Sequence, residues 1–271
     1  MSDIVLSPGV RSNLLQLQQT SDLITQTQTR LATGKKVNSA LDNPINFFTA
    51  QGLSVRANDL NSLLDAMSNG INTIQAANNG ISAITKLVQS MQALTSQAQQ
   101  TADTTVRATL ASQFDSLLTQ IDQLAADSGF NGINLLGGND LTITMNPDDT
   151  SKVVVSAFND STAGDLAISA SQNAWAGTLD IQAASDNLKT ALTTLRSQAQ
   201  SLSSNLSTVQ IRQDFTKAMV NTLQSGADSL TLADSNEEGA NLLALQTRQQ
   251  LSTTALSLAS QADQNVLRLF Q

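Results

Sequence analysis

Residues 60–98 read LNSLLDAMSNGINTIQAANNGISAITKLVQSMQALTSQA. Leu60, Leu64, Met67, Ile71, Ile74, Ile81, Ile84, Val88, Met91, Leu94 and Ala98 recur mostly every three or four residues, which puts them on one face of an α-helix. Asn78 falls on the stripe, and the phase slips by about one residue near Ile84, which alters supercoiling without ending a helix. Gly70 and Gly80 weaken the pattern, since each costs a helix about 1 kcal/mol relative to Ala. Pro44, behind the capping pair Asp42 and Asn43, marks a first helical position. A helix over 44–101 would run roughly 85 Å at 1.5 Å per residue, a rod rather than a compact domain. The fold class is therefore mainly α.

Working outward, Asp103 is an N-cap for a returning helix with Val106, Leu110, Phe114, Leu117, Ile121 and Leu124 on one face, closed by Ser128 and Gly129. Strand-forming residues flank Asn146-Pro147-Asp148-Asp149, so a small β-hairpin is expected over 141–158. Residues 159–177 are small and polar. A second long helix follows, with Leu188, Leu192, Leu195, Ala199, Leu202, Leu206, Val209, Val220 and Leu223 on its buried side, loosening at Gly226. Within this helical rod, 44–226, Leu60, Leu64, Met67, Ile71 and Ile74 are expected to pack with Leu195, Leu202 and Leu206.

Both ends carry narrower stripes. Val10, Leu17, Ile24 and Leu31 recur every seven residues with Leu14 between the first two, and Leu251, Ala255, Leu258, Ala262 and Leu269 keep a related rhythm. The expected organisation is a terminal helical coiled coil of 1–33 and 234–271, linkers at 34–43 and 227–233, and a folded-back rod with both termini at one end. An intramolecular pair of such helices is marginal, with Ser21, Gln28 and Asn265 on the seam. Leu15, Leu256, Val266, Leu267 and Phe270 lie off it and would be exposed in a monomer, which points to further partners. The candidate self-association surface is thus Val10, Leu14, Leu17, Ile24, Leu31, Leu251, Leu258, Val266, Leu267, Leu269 and Phe270.

Composition narrows the chemistry. The 271 residues include no Cys, no His and no Tyr, one Trp, and aromatics at 3%, a core of Leu, Ile, Ala and Val as in helical bundles. Without Cys or His there is no thiol chemistry, no zinc finger and no His-centred acid–base catalysis. A net charge of −8 repels phosphate backbones and argues against nucleic acid. No apolar run is long enough to span a membrane, and no cleavable secretory signal is evident. Asp148-Asp149 and Glu237-Glu238 read as solvated turn residues, Gly137-Gly138 lacks the Lys of a phosphate loop, and Asp140 to Asp149 lacks the ligand spacing of an EF-hand. No catalytic, cofactor or metal site is expected. Ser161, Thr162, Ser169 and Ser171 are candidate O-glycosylation positions.

Several stretches resemble one family. Arg30 to Pro44, RLATGKKVNSALDNP, resembles the RLSSGLRINSAKDDAAG segment of bacterial flagellins; NGINTIQ at 69–75 is similar to their NDGISIAQ, and FNGINLL at 130–136 to their FNGVKVL. TLR at 194–196 and QNVLRLF at 264–270, similar to QNVLSLL, continue the match in order to the C-terminal end.

The resemblance implies the D0/D1 architecture of a filament subunit: terminal helices in an inner D0 tube, the rod and hairpin as D1. Residues 159–177 occupy the place where larger flagellins insert outer domains, so no substantial D2 or D3 is expected. It implies a chain exported unfolded by a type III system, whose terminal helices order on packing against neighbours in an extracellular filament used for swimming. Gln16, Gln18, Gln19, Gln246, Gln249 and Gln250 would then face a wet channel. Implied partners are further copies of itself, an export chaperone, and the hook-associated and cap proteins. Many flagellins carry a charged LQRVRELAVQ motif recognised by an innate-immune receptor. Here Ser90, Gln92 and Ala93 stand at the charged positions, so weak receptor activation is expected. The competing readings are a hook–filament junction protein of the same lineage and, much less favoured by composition, an enzyme.

Overall fold

The computed structural model describes residues 8–269; Phe270 lies outside the described residues, as do the side chains of Val266, Leu267 and Leu269. The elements are α1 (Pro8–Thr33), α2 (Pro44–Gln100), α3 (Thr104–Asp127), β1 (Leu141–Thr144), β2 (Lys152–Val155), a single 3-10 turn (Asn173–Trp175), α4 (Thr178–Thr231) and α5 (Ser235–Leu269). The expected linker at 227–233 is narrower than the sequence suggested, because α4 continues through Gly226 to Thr231 and α5 opens at Ser235. Two compact units result, one of Met1–Arg56 with Thr222–Gln271, the other of Ala57–Asn221. Their division falls inside α2 and α4.

In the unit Ala57–Asn221 the helices present heptad seams to a common core. Along α2 from Met67 onward the seam has Met67, Ile74, Ile81, Val88 and Thr95 buried in one row and Gly70, Ala77, Ile84, Met91 and Ala98 in the other, with Thr73 and Gly80 buried beside them. Both rows keep a seven-residue spacing throughout. Two expectations are corrected here: Ala77, not Asn78, holds the seam position, and no phase slip occurs near Ile84. Leu64, Ile71 and Leu94 flank the seam half-buried, as Leu206 does on α4, while Leu60, Leu195 and Leu202 are buried. The hydroxyl of buried Thr95 donates to the Gln92 carbonyl at 2.9 Å, which lets a polar residue occupy a core position.

Gly70 and Gly80 turn out to be packing sites. A Cβ at Gly70 would collide with Ile143 of β1, and one at Gly80 with Ser128 and Leu136 in the turn after α3. Neither position has room for a side chain. β1 and β2 pair antiparallel from Leu141–Val155 to Thr144–Lys152, and Leu141, Ile143 and Val155 point into the core. Asn146 closes the hairpin, its Oδ1 accepting from the Thr150 and Ser151 amides at 3.0 and 3.1 Å. Asp149, at φ 58°, accepts from Lys152 and Thr144, and these bonds hold its carboxyl below the usual carboxylate range.

α3 begins where expected, with the Asp103 carboxylate accepting from the Thr105 amide at 2.8 Å. Its buried face is rotated from the expected one. Val106 is exposed and Arg107 is buried, its Nε donating to the Ala98 and Thr101 carbonyls at 3.1 and 2.7 Å and its Nη1 to the Ala176 carbonyl at 3.3 Å. A cation at the C-terminal carbonyls of α2 satisfies groups that the helix leaves unbonded and complements the helix dipole.

Residues 159–177 are more than a polar connection. Leu166, Ile168 and Trp175 are buried, and Trp175 meets Phe114 edge-on with ring centroids 5.0 Å apart. Two α3 carboxylates hold the segment down: Asp122 accepts from the Thr162 amide and hydroxyl at 2.7 and 3.0 Å, and Asp115 from the Ser171 amide and hydroxyl at 2.8 and 2.7 Å. Among the candidate glycosylation positions, Thr162 and Ser171 therefore spend their hydroxyls on α3, and Ser161 donates to Asn159 at 2.9 Å. Ser169 is exposed.

Candidate assembly surface

In the unit formed by the chain ends, α1 lies antiparallel against α5. Along α1 the seam positions Val10, Asn13, Leu17, Thr20, Ile24, Thr27 and Leu31 are covered, with Val10, Thr20 and Thr27 buried, and Arg30 is half-buried beside them. One heptad row is apolar. The other is polar, and Thr20 turns its hydroxyl back to the Gln16 carbonyl at 2.8 Å. On α5, among the described side chains, Leu242, Leu245, Gln249, Ser252, Leu256 and Ala259 are half-buried, again in a three-four rhythm. This seam differs from the expected one. Leu251 and Leu258 are exposed, whereas Leu256, expected off the seam, lies on it, and Gln249 faces α1 rather than solvent.

The register of the pair is fixed at one end. Arg30 Nη1 meets Glu238 Oε1 at 3.0 Å, and the Glu238 side chain is almost wholly covered. Asp234 caps α5 by accepting from the Asn236 amide at 2.8 Å, while Glu237 and Glu238 stand in the first turn, where acids suit the helix dipole. The connections on either side are tied together: the amides of Lys36 and Ala233 donate to the carbonyls of Thr231 and Gly34 at 2.8 and 2.9 Å. Asp42 accepts from the Asn38 and Ser39 amides, both at 2.9 Å, and these bonds lower its pKa. Asn43 caps α2 through the Asn46 amide at 3.0 Å. Residues 34–43 are thus a hydrogen-bonded connector.

Apolar side chains remain outside the pair. Leu14, Leu15 and Leu23 on α1 and Leu243, Leu251 and Leu258 on α5 are all exposed. Of the residues expected to form the surface, Leu14, Leu251 and Leu258 are open to solvent, and Val10, Leu17, Ile24 and Leu31 are turned toward α5. Sequence reading passed over Leu23, Leu242, Leu243 and Leu245. The signal for them was a second three-four stripe on each helix, legible only once the partner's side is known.

The chemistry of the remaining surface is sparse. Among the described residues no group of three or more acidic, His or Cys side chains is placed to hold a metal ion, and no helix is long and apolar enough to cross a membrane. An open groove of about 730 Å³ beside α3 is lined by Asp115, Asp122, Thr162 and Ser169, and both carboxylates are already bound as described.

Known proteins resemble this chain over nearly its whole length. The model of the bacterial flagellin N-terminal helical region matches residues 10–140, and that of the C-terminal helical region matches residues 185–270. Flagellin FljK of Caulobacter vibrioides is 31% identical over 280 residues, covering 100% of this chain and 99% of that one. Flagellin FljM of the same organism is 29% identical over 272 residues, with 100% and 99% covered. The crystal structure of Bacillus cereus flagellin aligns with a TM-score of 0.48 at 19% identity, covering 57% of this chain and 88% of that one. With two end regions matched to the family and full-length relatives on both counts, the chain belongs to the bacterial flagellins.

Proposed function

We propose that this chain, a structural subunit of the flagellar filament, polymerises through its terminal helices, with 1–33 and 234–271 as D0 and 44–226 as D1. The observation that carries the reading is the unfinished α1–α5 pair: half of one heptad seam is polar, and six leucines stay exposed on its outer sides. An apolar surface of that kind calls for a further partner. A subunit of a homopolymer meets its own copies first. Val266, Leu267, Leu269 and Phe270 belong to the proposed interface on their sequence pattern alone.

The same weakness suits secretion to the cell exterior as an unfolded chain, the polar-seamed ends ordering when neighbouring subunits supply the missing contacts. An export chaperone, hook-associated proteins and a cap protein are the heterologous partners that follow, and receptor activation is weak because Ser90, Gln92 and Ala93 carry no charge. The chain is not an enzyme in this reading. No observation favours the junction-protein alternative.

The test is the double variant Leu251→Ser with Leu258→Ser. Both side chains are exposed, so the monomer should keep its helix content by circular dichroism, while seeded elongation from filament fragments should drop at least tenfold. Filaments growing at the rate of the unaltered chain would refute the terminal-helix interface.

A further inference from the structure

An exposed apolar stripe lies away from the terminal pair. At the start of α2, Ile45, Phe48 and Val55 are 77%, 61% and 53% exposed, and Gly52 falls between the last two at the same three-four spacing. The opposite side of this stretch is the packed one: Ala50 is buried, and Leu53 is the side chain that a Cβ at Gly226 of α4 would touch. The stripe is therefore an outward helical face rather than a frayed end.

Gly52 is the informative residue. Glycine is among the poorest helix formers. The other glycines inside α2, Gly70 and Gly80, each make room for a neighbouring element of the same chain. A Cβ at Gly52 would meet nothing within 4 Å. Gly9 and Gly239 also face open space, but they stand near the starts of α1 and α5. Gly52 lies in the third turn of α2, past the helix start and on an apolar stripe, and among the described residues nothing of its own chain covers it. Small residues at such positions let two helix backbones approach closely.

We infer that Ile45, Phe48, Gly52 and Val55 form a helix-packing face for a second copy of this chain, with Gly52 at the point of closest approach. This rests on the filament role. The charge distribution supports that occupant: each copy carries a net charge of −8, so two copies approach with least repulsion where charge is missing. No charged residue occurs between Asp42 and Arg56. An oppositely charged partner would find nothing here to pair with, whereas another copy brings apolar helix faces of the same rhythm.

The experiment uses the full chain, dissociated and then seeded with filament fragments. In Gly52→Leu the new side chain enters open space and improves helix propensity, so thermal melting of the monomer should be no lower than for the unaltered chain. Its critical concentration for elongation should rise at least tenfold. Phe48→Ser should raise it as well, and Ser54→Leu, exposed on the same helix but off the stripe, should leave it unchanged. Gly52→Leu assembling at the original critical concentration would overturn the inference, as would a lower melting temperature for that variant. Normal assembly of the double serine variant of α5 would instead refute the terminal-helix interface and leave this face standing.

Discussion

In α2, Met67, Ile74, Ile81 and Val88 fill one heptad row and Ala77, Ile84, Met91 and Ala98 the other; in α1 the rows are Val10, Leu17, Ile24, Leu31 and Asn13, Thr20, Thr27. The rhythm is shared and the filling is not. Two apolar rows close a core, and the unit Ala57–Asn221 adds the hairpin and the 159–177 segment over it. One apolar and one polar row bury roughly half as much hydrocarbon per turn, so the terminal pair gains correspondingly less from the hydrophobic effect. The difference teaches that a coiled-coil period alone does not say whether a seam is finished. What fills the second row decides that.

The largest expected effect is on the finished side. Asn173, Ala174 and Trp175 all sit at positive φ, 47°, 46° and 57°, a left-handed run that costs roughly 1–2 kcal/mol per residue. The buried Trp175 side chain against Phe114 holds that run in place. Trp175→Ala should therefore destabilise the unit by about 3–5 kcal/mol, measured by chemical denaturation followed by circular dichroism. A loss below about 1 kcal/mol would mean that the 159–177 segment is a loose cover and the contrast between the two regions is overstated.

Much of the fold was legible, and the failures share a cause. Reading by large apolar residues picked Leu64, Ile71, Leu94, Leu110 and Leu117, which flank the seams half-buried, and passed over Ala77, Thr95 and Ala111, which are in them. Small residues occupy the seam where helices approach closely, and a hydrophobicity pattern weights them least. Arg107 was unreadable for a related reason, since its burial depends on where the α2 carbonyls end. Leu166, Ile168 and Trp175 follow no period because the backbone that carries them is neither helix nor strand. At the chain ends the period was plain but ambiguous: α5 has a stripe through Leu245 and Leu256 and another through Leu251 and Leu258, and only the position of α1 distinguishes them.

An intermediate effect tests how dry the finished core is. Asp160 is completely buried; its Oδ1 accepts from Gln198 Nε2 at 2.8 Å, while its Oδ2 and the Gln198 Oε1 have no partner. Burial, with a smaller contribution from Asp165, pushes its pKa up from 3.8 to about 6. Between these values the folded chain holds a proton that the unfolded chain has released. The stabilisation from this group is therefore complete below about pH 4 and is lost as pH rises through about 6, an effect on the order of 2 kcal/mol. Asp160→Asn supplies an uncharged donor and should abolish that slope, gaining on the unaltered chain from pH 4 to pH 7. Trp175 is the only Trp in the sequence and can report the transition by fluorescence. Parallel melting curves for the two chains across that range would show that solvent reaches Asp160, against a dry core.

The smallest effect converts one region toward the other. Thr20 and Thr27 are buried in the polar row of α1, and valine matches threonine in shape while removing the hydroxyl. Thr20→Val also frees the Gln16 carbonyl from its extra bond, so the exchange loses little and lets the row bury hydrocarbon. Each substitution should stabilise the α1–α5 pair by about 0.5–1 kcal/mol, read as slower amide hydrogen exchange in α1 of the dissociated monomer. Leu14, Leu251 and Leu258 are untouched, so seeded assembly should still occur. If neither exchange nor assembly responds, the polar row is not what weakens the terminal pair, and the cause lies in the helices' own length and composition. If exchange slows while secretion from cells falls, the polar row is a device that keeps the ends easy to unfold before they reach the filament.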